Sequence, residues 1–154
     1  MFDLVTVGHF AIDLIASPKI GHSEETLGGP PTFSSLAARK MGANVSVISK
    51  VGSDFPPKYI NWLAANKIDL SGLKKVEGAS TTRFILMYDK STGKRRLLLK
   101  SQAPPIELRD IPESSESKAI HAAPIANELS SETISRLRSL TSLLAFDPQG
   151  LVRK

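Results

Sequence analysis

Short apolar runs alternate with helical segments along most of the chain, and this alternation constrains the fold more than any other feature. Asp3 to Gly8 and Val45 to Val51 are rich in β-branched residues and each runs into a glycine, which is typical of buried strands. Between them, Thr32 to Met41 carries apolar residues at helical spacing and closes with basic residues before Gly42. Strands that alternate with helices predict an α/β fold with a mostly parallel sheet.

The same pattern continues through the second half of the chain. Residues 69–76, 119–122 and 143–146 are predicted strands. The intervening segments predict two more helices. The first has Asp54 as N-cap and Pro56 or Pro57 in its first turn, and its inner face consists of Ile60, Leu63 and Ala64. The second is capped by Ser130 or Ser131 and runs to about Leu140.

Two stretches depart from the alternation. Residues 11–27 mix short apolar pairs with proline, glycine and serine, which indicates small strands and turns outside the main sheet. Residues 82–101 have the pattern of a β-hairpin with the four-residue loop 90–93. The hairpin carries the basic residues Lys94, Arg95 and Arg96. We interpret them first as a solvated edge that resists pairing with another strand, and second as residues that contact phosphate.

Composition removes several function classes. The 154 residues suffice for one domain with a core, and the chain has no cysteine, so disulfides and thiolate metal sites are excluded. No apolar run is long enough to cross a bilayer, and the first residues do not resemble a signal peptide, so we expect a cytoplasmic protein without a membrane partner. The net charge of +5 is dispersed and aromatic residues are few, so we expect no nucleic-acid partner.

The sequence offers no recognisable metal centre or catalytic triad. Its three histidines, His9, His22 and His121, lack metal-ligand spacing. No combination of serine, histidine and aspartate can be identified as a triad from the sequence. We therefore expect no metal site in this chain and interpret His9 and His121 first as residues at strand ends.

Asp13 and the double glycine are the first candidates for a ligand site. A carboxylate accepts two hydrogen bonds from vicinal hydroxyls at once, so Asp13 suits a sugar, although a solvated loop acid has the same appearance. Gly28 and Gly29 allow close backbone approach and would leave amide donors at a helix N-terminus, but a simple turn fits them too. The two common nucleotide motifs, G-x-G-x-x-G and the P-loop, are absent.

Three further acids have both a structural and a ligand-binding interpretation. Asp54 serves as an N-cap at least as well as it serves as a ligand contact. Glu128 and Asp147 lie near predicted strand ends, where they either face a shared cleft or cap the following turn.

These residues together resemble the ribokinase-like, or pfkB, family of carbohydrate kinases. The front signature of that family is a double glycine, a small residue, a helix, a glycine, nine residues and another glycine. It is matched by Gly28-Gly29-Pro30, Ser35, Gly42 and Gly52. Gly8 with Asp13 is similar to the family's first strand and its later aspartate, and Gly52 with Asp54 is similar to its V-G-x-D element. Residues 121–124 with Glu128, and residues 146–150, are similar to its later strand ends.

The resemblance implies a fold and an activity. The fold is a three-layer α/β/α domain with a mostly parallel sheet and a small β lid, here about 11–27 and 82–101. The activity is transfer of the γ-phosphoryl group of ATP, with Mg²⁺, to a hydroxyl of a sugar, polyol or nucleoside. The implied acceptor contacts are Asp13, Gly28, Gly29, Phe33, Asp54 and Glu128, with Phe33 standing where the signature has an asparagine that holds sugar hydroxyls.

The resemblance also stops short of a whole kinase. The family's D-T-x-G-A-G-D and N-x-x-E segments are absent, so residues 1–154 are interpreted as the N-terminal part of the domain, without catalytic or nucleotide-binding residues and inactive in isolation. The alternative is a truncated or split, non-catalytic chain that binds a ligand or a partner subunit. A homodimer that forms through the lid or through an exposed sheet edge is a further prediction. A Rossmann-type oxidoreductase ranks third, because Gly8-His9-Phe10 stands where its glycine fingerprint belongs.

Overall fold

The computed structural model describes residues 1–16, 23–89, 91–113 and 117–152. Its main sheet has five strands, all parallel, in the order β5-β4-β1-β8-β9. These strands are β1 (Phe2–Val7), β4 (Val45–Gly52), β5 (Asp69–Val76), β8 (Ser117–Ala122) and β9 (Leu143–Phe146). The predicted parallel sheet is confirmed.

Helices cover both faces of the main sheet. Every residue of β4 is buried. Its consecutive residues Val47 and Ile48 belong to two different hydrophobic clusters, because successive side chains of a strand point to opposite faces of the sheet. Leu63 belongs to one cluster and Leu137 to the other. The helices are α1 (Pro30–Lys40), α2 (Pro57–Ala65), α3 (Ser131–Ser139) and the short α4 (Gln149–Val152), with a 3-10 turn at Leu108–Asp110. The fold is the expected three-layer α/β/α arrangement.

Four strands form a second, smaller sheet in the order β3-β2-β6-β7. Strands β2 and β6 pair in parallel, whereas β3 and β7 pair antiparallel to them on the two edges. This small sheet consists of β2 (Ala11–Ala16), β3 (Ser23–Gly28), β6 (Thr82–Tyr88) and β7 (Arg95–Ser101). The predicted hairpin between β6 and β7 is confirmed, although Lys90 of its loop lies outside the described residues.

Helix α1 begins two residues earlier than predicted and buries a different face. Its buried residues are Pro31, Thr32 and Ser35. Phe33 is 62% exposed and Met41, which follows the helix, is 88% exposed. The apolar spacing therefore identified the helix but not the side that packs on β1 and β4.

The predicted N-cap role of Asp54 is wrong. The N-cap of α2 is Pro56, and Pro57 occupies the first helical position, where a missing amide hydrogen costs little. Asp54 instead accepts hydrogen bonds from the backbone nitrogen and the hydroxyl of Thr81, both at 2.7 Å. On the inner face of α2, Leu63 is buried but Ala64 is exposed.

The N-cap of α3 is Ser130, whose hydroxyl oxygen accepts a hydrogen bond from the backbone nitrogen of Thr133 at 3.1 Å. Of the two serines that the sequence offered, the first is the cap. Among the described residues, no helix is both long and apolar enough to cross a membrane.

Candidate functional site

A cavity of about 270 Å³ opens where the carboxyl ends of the main-sheet strands meet the small sheet. This is the edge at which open parallel sheets bind ligands. Three of the predicted site residues, Asp13, Gly29 and Phe33, line this cavity together. The other lining residues are Pro30, Phe84, Leu86, Arg95, Leu97, Ile125, Asp147 and Gln149.

Asp13 owes its position to Gly28 on the neighbouring strand. Within the β2–β3 pair, Ala11 lies opposite Gly28 and Asp13 opposite Thr26. A Cβ atom on Gly28 would lie 2.1 Å from Oδ2 of Asp13, so only glycine leaves room for the carboxylate at this place. Gly28 is absent from the cavity lining itself, and its part in the site is to accommodate Asp13.

Gly29 makes the turn that brings α1 to the cavity. Its φ of 87° lies in the left-handed region that favours glycine, and a Cβ atom there would lie 2.4 Å from the carbonyl oxygen of His9. The chain can therefore pass close to the end of β1 before α1 begins.

The expected set of amide donors at the start of α1 is not present. Pro30 and Pro31 occupy the first helical positions and carry no amide hydrogen. The backbone nitrogen of Thr32 donates to the carbonyl of Gly29 at 3.1 Å. The N-terminus of α1 thus contributes an apolar proline surface to the cavity instead of a cradle for an anion.

The small sheet supplies the opposite wall. Phe84 and Leu86 come from alternate positions of β6, and Arg95 and Leu97 from alternate positions of β7. Sequence reasoning identified the hairpin and its basic residues but missed the three apolar members. The signal was available, because side chains two positions apart on a strand share one face.

Asp147 combines the two roles that the sequence left open. It lines the cavity next to Gln149, and its Oδ1 accepts a hydrogen bond from the Gln149 backbone nitrogen at 3.0 Å. Its own backbone nitrogen donates to the carbonyl of Ala122, which fixes the end of β9 against β8. Two carboxylates, Asp13 and Asp147, therefore line one cavity together with the cationic Arg95.

Glu128 lies behind the cavity wall. Its side chain is buried, with 1% of the residue exposed, and it is not among the lining residues. Its carboxylate accepts hydrogen bonds from the backbone nitrogens of His9, Ile125 and Ala126, at distances from 2.7 to 3.0 Å. Glu128 thus holds the loop that presents Ile125 to the cavity, and the structure does not bring it to the ligand side.

Asp54 also lies apart from the cavity lining. Partial burial raises the pKa of Asp54, but hydrogen bonds from Thr81 and the charge of Arg83 outweigh that effect and hold the pKa below its usual value. Arg83 reaches Asp54 at 3.3 Å and Glu25 at 2.9 Å. Asp54 therefore anchors the beginning of β6, and its predicted contact with a ligand stays a prediction.

His9 connects the main sheet to the base of the small sheet. Its Nε2–H donates to the carbonyl of Pro104 at 3.0 Å, so its Nδ1 accepts the hydroxyl hydrogen of Thr82 at 2.8 Å. Thr82 Oγ1 in turn accepts a hydrogen bond from the backbone nitrogen of Ala103. Burial lowers the pKa of His9 and favours the neutral imidazole that this network needs, although the charge of Glu128 acts in the opposite direction.

Of the other basic and histidine candidates, Lys94, Arg96 and His121 do not line this cavity. Lys94 and Arg96 are exposed, and His22 lies outside the described residues. Across the described part of the chain, no group of three or more histidine, cysteine, aspartate or glutamate side chains could hold a metal ion.

Comparison with known proteins places this architecture among the kinases. A cytidine kinase of Thermococcus kodakarensis is 28% identical over 149 residues, covering 96% of this chain and 52% of the relative. A pyrophosphate-dependent kinase in the ribokinase family superposes with a TM-score of 0.83 at 24% identity, over 97% of this chain and 51% of the other. An uncharacterized sugar kinase from Pyrococcus horikoshii in complex with ATP gives a TM-score of 0.74 at 25% identity, over 94% and 52%.

The chain spans about half the length of the relatives that it matches. The family model for pfkB carbohydrate kinases matches residues 1–134. Because that match covers most of the chain, and because the fold agrees with it, this protein belongs to the pfkB family of carbohydrate kinases.

Proposed function

We propose that this chain forms the acceptor-binding part of a phosphotransferase that phosphorylates a hydroxyl of a sugar, polyol or nucleoside. The observation that carries the proposal is the placement of Asp13 in a cavity between the small sheet and the carboxyl edge of the parallel sheet. Gly28 leaves room for the Asp13 carboxylate, which suits that carboxylate to a fixed part in recognition.

In this proposal Asp13 accepts hydrogen bonds from two vicinal hydroxyls of the acceptor and so orients the hydroxyl that reacts. The apolar side chains Phe84, Leu86 and Leu97 of the small sheet exclude water from the same space. The small sheet acts as the lid over the acceptor, and Asp54 and His9 hold the base of that lid.

The phosphoryl donor is proposed to be ATP with Mg²⁺, as the family membership suggests. When bound, they supply the transferable phosphoryl group and the charge that stabilises its transfer. The family's D-T-x-G-A-G-D and N-x-x-E segments are absent from residues 1–154, so in this proposal neither the donor site nor the catalytic base lies in this chain. We propose that residues 1–154 alone do not catalyse phosphoryl transfer.

The test uses the intact gene product that contains this chain, and residues 1–154 in parallel. Asp13→Asn keeps the side-chain size but weakens acceptance from hydroxyls, so we expect the KM for the acceptor to rise about 10- to 100-fold. Glu77→Gln, an exposed carboxylate outside the cavity, is the matched control and should leave KM unchanged. An unchanged KM in Asp13→Asn contradicts the role of Asp13, and turnover by residues 1–154 contradicts the placement of the catalytic base elsewhere.

A second candidate function is supported by the edge of the main sheet. Strand β9 is an edge strand, and its Leu143 is 61% exposed and its Phe146 38% exposed. Parallel sheets normally have their strands covered, so this edge suits a complementary polypeptide. In this second candidate the chain is a non-catalytic subunit that binds a ligand or a partner at β9, and exposed Leu98 and Met87 of the small sheet suit a homodimer.

Light scattering of residues 1–154 distinguishes the two modes of association. A dimer that Leu98→Lys converts to a monomer supports association through the small sheet. A monomer that forms a one-to-one complex with a separately expressed carboxyl half of a relative, and loses it in Leu143→Lys, supports association at β9. A monomer that binds no such half contradicts association through either surface.

A further inference from the structure

We propose that Phe33 is a specificity-determining residue that selects an acceptor with a planar aromatic ring next to its hydroxyls, which identifies the substrate class as nucleosides. The inference rests on the proposed function, since it concerns the same acceptor site. It begins from an unusual exposure: Phe33 is 62% exposed on α1, yet it lines the cavity that contains Asp13.

The walls of this cavity divide into a polar part and an apolar part. The charged or polar members are Asp13, Arg95, Asp147 and Gln149, and the apolar members are Pro30, Phe33, Phe84, Leu86, Leu97 and Ile125. A polyol such as an inositol has hydroxyls around its whole perimeter. Several of them would face apolar walls without hydrogen-bond partners, which is costly when they are desolvated.

A nucleoside has the matching division within one molecule. Its ribose offers a vicinal diol to Asp13, and its base offers an apolar π-face to aromatic side chains. Two phenylalanines from different elements, Phe33 of α1 and Phe84 of β6, line the cavity. Arg95, also in the lining, is suited to contact a base through its guanidinium plane.

The space beyond the first cavity accommodates a ligand longer than one sugar ring. A second cavity of about 390 Å³ shares Phe84, Arg95, Leu97 and Ile125 with the first. Its remaining lining residues are Leu99, Ala126, Asn127 and Gly150, which add no charged side chain. The shared wall makes the two cavities neighbours, so a base that stacks on Phe33 in the first cavity has room to extend along Phe84 toward the second, which Phe33 does not line.

The test compares cytidine, adenosine, ribose and myo-inositol as acceptors for the intact gene product that contains this chain. We expect the wild type to prefer the nucleosides. Phe33→Ala should lower kcat/KM for them about 10-fold or more and change that for ribose less than 3-fold, because stacking is lost only for the base and alanine offers no new contact to sugar hydroxyls. Phe33→Tyr keeps an aromatic ring and should keep the preference. Met41→Asn removes an exposed apolar side chain just beyond the end of α1, outside the cavity, and should change neither value.

The outcomes separate this inference from the proposed function. A wild type that phosphorylates ribose or myo-inositol at least as well as nucleosides overturns the role of Phe33 and keeps the proposed acceptor site. Equal losses for all acceptors in Phe33→Ala, with an unchanged thermal unfolding midpoint, overturn it as well. Absence of turnover and of binding for every acceptor overturns the proposed function, and this inference with it.

Discussion

Oδ2 of Asp13 occupies the position that a Cβ atom of residue 28 would need, since the two would lie only 2.1 Å apart. The glycine and the aspartate are therefore one structural unit, although 15 positions separate them in sequence. The first glycine of the motif, Gly28, is therefore needed to accommodate the Asp13 carboxylate, whereas the turn before α1 depends on the second, Gly29.

The first prediction concerns this pair. Gly28→Ala should displace the Asp13 carboxylate and raise the KM or Kd for the acceptor by about the same factor as Asp13→Asn, roughly 10-fold or more. Gly42→Ala provides the comparison, because it strains a left-handed residue that has open space around it and is not among the residues that line the cavity. Isothermal titration calorimetry with the acceptor measures both, and an unaltered Kd in Gly28→Ala would show that the carboxylate tolerates displacement.

The second prediction concerns the buried carboxylate of Glu128. Glu128→Ala removes the acceptor for three backbone N–H groups and leaves them in a buried loop, so we expect a loss of about 2–4 kcal/mol in the free energy of unfolding. Urea denaturation measures this loss. Glu132→Ala, an exposed acid in the first turn of α3, should cost about 1 kcal/mol or less. Similar losses in the two variants would contradict the anchoring role.

The third prediction concerns Lys50, a buried lysine in β4. Its Nζ forms an ion pair with Asp110 at 2.5 Å and donates to the carbonyl of Pro105 at 2.9 Å. Lys50→Met should lower the free energy of unfolding by about 2–4 kcal/mol, because Asp110 is left buried with one cation instead of two. Lys74→Met removes the half-exposed partner of the same carboxylate and should cost less than about 1 kcal/mol. Equal losses of unfolding free energy in Lys50→Met and Lys74→Met would contradict the expectation that the buried ion pair contributes more than the half-exposed one.

The fourth prediction concerns pH and His9. Because burial lowers its pKa in the folded state, the unfolded chain takes up a proton near pH 6.5 while the folded chain does not. The unfolded state then binds more protons, so stability should fall as pH decreases below about 6.5, by at most about 1.4 kcal/mol per pH unit from this group. His9→Gln should flatten the dependence between pH 7 and pH 5, whatever its stability at pH 7.

Urea denaturation at several pH values measures that slope. His121→Gln removes an imidazole outside the network of Thr82 and Pro104 and is the matched control. The same steep slope in wild type and in His9→Gln would mean that other groups cause the loss of stability in acid.

The sequence was sufficient for the layers of the fold, because the alternation of strands and helices follows from local patterns. Three of the residues singled out from the sequence, Asp13, Gly29 and Phe33, line one cavity, and their contact with a ligand stays a prediction. The prolines at 30 and 31 already excluded the expected amide donors, since proline has no N–H, so that error was avoidable.

Other parts of the site could not be obtained from local patterns. Glu128 receives one of its hydrogen bonds from His9, 119 positions earlier in the chain, and the local pattern does not reveal this distant donor, which draws the carboxylate inward. Asp54 has the appearance of a cap, but Thr81 competes for its oxygens from 27 positions away. Phe84 and Leu97 show the alternation of strand residues, which reveals that they share a face but not which face closes on Asp13.

The parallel pairing of β2 with β6 has a consequence for the order in which the molecule is assembled. Ala11 lies opposite Thr82, so the segments that form the centre of the small sheet are made at widely separated times during synthesis on the ribosome. The chain loses the conformational entropy of closing so long a loop before the contacts between β2 and β6 can stabilise it. Strands β2 and β3 must therefore wait, as an antiparallel pair with an open edge, until α1, β4, α2 and β5 have been made and the chain has passed Tyr88.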